Sequence, residues 1–150
     1  MYGDSQRNTQ SAAARRWLFE GLLAVLATAF SLVVTVRVWG AIGGQQPMWP
    51  LPALYLLEMV ALPGATAIIL LRGVSPGAAL AWAAAGAASA FSVLGAWSVG
   101  FFYAPVALLL LAAGIVAALR ARQRIWADLA WAVAAGALQA VIMLAVIGLL

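Results

Sequence analysis

Apolar residues fall in five long blocks, at about 17–39, 51–71, 76–97, 101–119 and 126–150, separated by short polar or Gly/Pro-rich breaks. Each block approaches the roughly 20 residues with which a helix crosses a bilayer's hydrocarbon core. The pattern predicts an all-α integral membrane protein, a compact bundle of five transmembrane helices. The turn between the third and fourth blocks is short, so a four-span count holds if one of them is re-entrant. The breaks agree with this division. The segment 40–52 carries Gly43, Gly44, Pro47, Pro50 and Pro52 and reads as a loop. Arg72 to Gly77 is a tight connection, with Ser75 a candidate N-cap and Pro76 a candidate first helical residue. Ser98-Val99-Gly100 turns the chain, and Pro105 suits the first turn of the fourth helix.

The first sixteen residues are polar and small, and are expected to form a flexible cytoplasmic tail ahead of one helical domain, 17–150. A cleavable signal peptide is the rival reading. Its apolar region would run only about 7–15 residues, shorter than the block that follows Arg15-Arg16. No good small-x-small cleavage site is seen before Gly40.

Composition strengthens the membrane reading. Of 150 residues, 67% are hydrophobic and 8% charged. A water-soluble domain of this size could not hide that much apolar surface. All eight basic residues are arginines. With the N-terminus cytoplasmic, Arg7, Arg15, Arg16, Arg72, Arg120, Arg122 and Arg124 lie inside and only Arg37 outside, as the positive-inside rule requires. These arginines are spread over short loops, which argues for a topology signal and against a nucleic-acid surface. Arginine without lysine, among abundant Ala and Gly, points to a GC-rich bacterial genome and so to the bacterial cytoplasmic membrane. Trp17, Trp126 and Trp131 fall near the inner interface. Trp39, Trp49, Tyr55, Trp97 and Phe101-Phe102-Tyr103 fall near the outer one, as aromatic belts do.

The chain has no Cys, His or Lys. Thiolate chemistry, the commonest metal and haem ligand, and Schiff bases are therefore excluded. No phosphate loop, triad or metal-spaced cluster is present. The expectation is no cofactor, no metal and no enzymatic activity.

One residue stands out. Glu58 lies about 10 Å into the second helix at 1.5 Å per residue, where a bare carboxylate is costly. It must pair, protonate or face water, and Arg37 is the expected partner. Pro63 removes the hydrogen bond that would satisfy the carbonyl of Met59. Other polar groups fall at similar depth. Thr28, Ser31 and Thr35 form a stripe on the first helix, Ser89 and Ser92 lie on the third, and Gln139 on the fifth. Glu58, Arg37, Ser31, Thr35, Ser92 and Gln139 together make a candidate intramembrane polar site. Its functional reading is a small-solute or proton site; its structural reading is interhelical hydrogen bonding. Glu20 is expected to form a surface pair with Arg16, and Asp128 to complement the dipole of the fifth helix. Small residues at Ala79, Ala83, Gly86, Ala87 and Ala90 allow a close helix approach.

Three functions fit these residues. The leading one is a non-catalytic accessory or assembly subunit, in contact with the lipid bilayer and with a membrane-protein partner or further copies of itself. The second is a small-solute or proton-coupled transporter using Glu58 with Arg37. The third is a lipid- or isoprenoid-binding protein.

Overall fold

The structure, a computed structural model, describes residues 3–42, 51–74, 76–121 and 125–148. Five helices account for nearly all of them: α1 (Gly3–Ile42), α2 (Leu51–Leu71), α3 (Gly77–Leu94), α4 (Ala104–Ala121) and α5 (Ile125–Gly148). All five contain a stretch long and apolar enough to cross a membrane. The chain is thus an all-α bundle with five candidate spans, and α3 and α4 each have a full-length one.

Packing partners reveal the arrangement. α1 packs on α2 and α4, and α3 packs on α4 and, less extensively, on α2. These four helices close a ring. α5 lies outside it, packed almost entirely on α3. Specific contacts give the directions. Gly21 meets Leu71 and Thr28 meets Gly64, so α1 and α2 are antiparallel. Trp82 covers Gly114, and α3 and α4 are antiparallel as well. α5 runs parallel to α3, with Ala132 and Gly136 against Gly86 and, further along both, Met143 beside Phe91. One end of the bundle therefore holds Glu20, Arg72, Arg120 and Asp128, and is called the basic end below. The other holds the α3–α4 turn.

Local chemistry explains most helix ends. α2 stops in a Schellman motif: Gly73 takes φ 65°, its N–H bonds Leu70 O at 3.1 Å, and the Val74 N–H bonds Ile69 O at 3.3 Å. Only glycine adopts that φ without steric cost. Pro76 is the N-cap of α3 rather than its first residue. Ser75, the expected cap, lies outside the described residues, as do 43–50 and Arg122 to Arg124.

Several boundaries differ from expectation. α3 ends at Leu94, not Trp97. Gly95 caps it, and the Ser98 and Gly100 N–H groups both donate to Gly95 O at 2.9 Å. Side chains at Gly95 or Gly100 would collide with the opposing backbone, so the turn is built on that glycine pair. The chain then makes a single 3-10 turn, Gly100–Tyr103, before α4, with Pro105 in the first helical turn as its missing N–H allows. α1 is helical from Gly3, so residues 3–16 of the polar segment continue the first span as a helix. Ala12, Ala13 and Ala14 favour this.

α5 can seat closely because α3 presents no side chain at Gly86. A Cβ there would run into the Ala132 carbonyl. On α5, Ala132, Gly136 and Ala140 repeat every fourth residue and border the same groove. This is close backbone approach through small residues, a common way for membrane helices to associate where lipid removes the hydrophobic drive.

Candidate functional site

The structure uses most of the expected polar residues to tie helices together. Pro63 lies inside α2 and is fully buried. It leaves the Met59 carbonyl without its intrahelical donor. Ser31, also fully buried, donates its hydroxyl from α1 to that carbonyl. One turn along α1, Thr35 Oγ1 shares a 2.7 Å hydrogen bond with the Tyr103 hydroxyl. Gln139 on α5 donates Nε2 to Glu58 Oε2 on α2 at 3.1 Å. Ser92 is satisfied within its own helix, bonding Ala88 O at 2.8 Å. Thr28 and Thr66 do the same with Ala24 O and Leu62 O.

Arg37 does not join this set. Among the described residues it makes no ion pair with Glu58; the ion pair found there joins Arg120 to Glu20. Arg37 is exposed and borders an apolar groove on the outside of α1. Glu58 is half-buried and faces a neutral amide instead.

The most fully enclosed acid is at the other end. Glu20 has no exposed surface, and Arg120 Nη1 lies 3.2 Å from its Oε2. This corrects the expectation that Glu20 lies at the surface; Arg16, the expected partner, has its side chain outside the described set. The antiparallel packing of α1 and α4 brings the start of one span against the end of the other. That pairing was open to inference, because alternating spans put Glu20 and Arg120 at one end and nearly the same depth. Asp128 lies in the first turn of α5 as expected, but is buried.

Tyr103 is the functional-looking residue that the sequence assigned wrongly. It is fully buried, packed edge-on against Phe91 at 5.3 Å. Its neighbours Phe101 and Phe102, with Trp97, are exposed as belt residues are. A tyrosine hydroxyl has one polar atom to satisfy, and Thr35 at its level satisfies it.

A cavity of about 190 Å³ lies near the α3–α4 turn, lined mainly by Val38, Tyr55, Leu56, Phe91 and Met143. None of the six predicted polar residues lines it. Among the described residues, no three His, Cys, Asp or Glu side chains gather as a metal site would need. The arrangement can therefore cross-link helices, and it holds one carboxylate that an amide, rather than a cation, partners. No family model matches the chain, and neither does any curated protein or solved structure.

Proposed function

We propose that this chain is a non-catalytic, multi-pass protein of the bacterial cytoplasmic membrane, N-terminus inside, that packs against other membrane components as an accessory or assembly subunit. The observation that carries the reading is the asymmetry of α5. Only 11% of its spanning stretch is buried by this chain, against 56% for α3. A helix held along one face by a small-residue seam leaves the rest of its surface for lipid or another helix. Meanwhile Ser31, Thr35 and Gln139 are occupied in ties between helices, which supports a structural use of the polar layer.

The test is photo-cross-linking in native membranes from probes at Leu138 and Val141, both exposed on α5, followed by mass spectrometry. A stoichiometric cross-link to one protein or to a second copy is expected. Lipid adducts alone, with the chain recovered monodisperse, would overturn the reading. Because the chain has no cysteine, orientation is tested independently. A single cysteine at Ser98 should label from outside intact cells.

Transport stands as the second reading, favoured by the half-buried Glu58 facing a neutral amide. It predicts a proton flux in proteoliposomes that the Glu58→Gln variant abolishes while still folded.

A further inference from the structure

Among the described residues, Arg37 is a cation within a candidate span that makes no ion pair. Arg37 lies in the α1 span Leu18–Ile42. A guanidinium at that depth must snorkel to the interface or find an anion. The chain has four acidic side chains, Asp4, Glu20, Glu58 and Asp128. Glu20 holds Arg120, and Glu58 takes the Gln139 amide. Asp128 belongs to the first turn of α5 at the basic end, and Asp4 to the start of α1. Both are far along the bundle from Arg37. The sequence of 43–50 contains no acid.

Arg37 also has a defined setting. It borders a groove of about 550 Å³ formed mainly by Phe30, Val33, Val34 and Val38 of α1 with Val99 and Phe102 beyond it. Every other residue lining the groove is apolar. The groove extends along α1 from Phe30 to Ile42, roughly 18 Å at 1.5 Å per residue. Arg37 lies toward the α3–α4-turn end, and Phe30 lies deeper in the span.

We propose that this groove holds one anionic phospholipid, with its phosphate on Arg37 and an acyl chain lying along Val34 and Val33 toward Phe30. The geometry matches the way a lipid stands in a leaflet, headgroup at the interface and chain toward the midplane. Guanidinium and phosphate pair through two parallel N–H···O bonds. The groove offers no carboxylate for the amine of a zwitterionic lipid, so the net charge of the occupant is negative. The site does not depend on the subunit role proposed above.

The experiment loads the purified full-length protein with equal amounts of phosphatidylglycerol and phosphatidylcholine. It is then washed in lipid-free detergent, and retained lipid is counted by native mass spectrometry. Wild type should keep one phosphatidylglycerol in preference to phosphatidylcholine. Arg37→Gln should lower that retention about fivefold, the usual contribution of one basic residue at a charged membrane surface. Val33→Trp fills the groove at an exposed position and should lower retention with the charge intact. Equal retention of the two lipids by wild type would overturn the proposal. So would phosphatidylglycerol retention unchanged in either variant.

Discussion

Glu20 and Glu58 both lie on spanning helices, toward opposite ends of the bundle, and the protein accommodates them differently. Glu20 is fully enclosed within the ring, and Arg120 of α4 neutralises it. Glu58 is half-buried at the edge of the ring, where a neutral amide from the outlying α5 meets it. The contrast follows from position. Inside the ring a carboxylate has no route to water, so it needs an opposite charge beside it. At the edge it can be met by a hydrogen bond and keep part of its surface free. Glu20 binds α1 to α4 within the core; Glu58 binds the core to an added helix.

The sharpest way to break the comparison is to remove the cation. Arg120→Leu leaves Glu20 buried and unpaired, and should cost about 3–5 kcal/mol. Unfolding in a denaturing detergent titration would read this. The double variant Glu20→Leu/Arg120→Leu should recover most of the loss, since the pair itself contributes little net stability.

Gly86→Leu attacks the other arm. Its side chain meets the Ala132 backbone, so α5 must move, at about 1–3 kcal/mol. A cross-link between α5 and α2 should fall, while one between α1 and α4 stays. Equal loss of both would mean that the ring and α5 are a single cooperative unit.

A smaller effect is expected for Ser31→Ala. It strips the Met59 carbonyl of its donor beside Pro63, at about 1 kcal/mol. Pro63→Ala in the same background should reverse the loss, because the helix regains its own hydrogen bond. Least of all, Glu58→Gln keeps an amide-competent partner for Gln139 and should change stability by less than about 1 kcal/mol. A cost as large as that of Arg120→Leu would show Glu58 to be as enclosed as Glu20.

These contrasts also mark how much could be read in advance. The five spans were legible because hydrophobic length against bilayer thickness is a one-dimensional property. The Schellman end at Gly73, Pro105 in the first turn of α4 and the carbonyl freed by Pro63 are local consequences of backbone chemistry, and they too were within reach. The depth of Ser31, Thr35, Glu58 and Gln139 followed from counting residues along the spans.

Partner choice was not legible at the same level. Depth places two groups in one layer, but rotation about each helix axis decides whether they meet. Arg37 lies about one turn nearer the α3–α4-turn end than Glu58, within reach of a long side chain, yet Arg37 faces the outer groove of α1 and Glu58 faces α5. Tyr103 resembles its two aromatic neighbours in sequence, and the 3-10 turn aims it inward while they stay outside. The sequence by itself determined the number of apolar spans, their approximate extent and the approximate level of each polar group, because these depend on local composition and on the membrane's thickness. Only the tertiary structure decided that α1 to α4 close a ring, that α5 lies outside it on the Gly86 seam, and which polar groups pair. Those outcomes rest on side-chain direction and close backbone packing between segments distant in sequence.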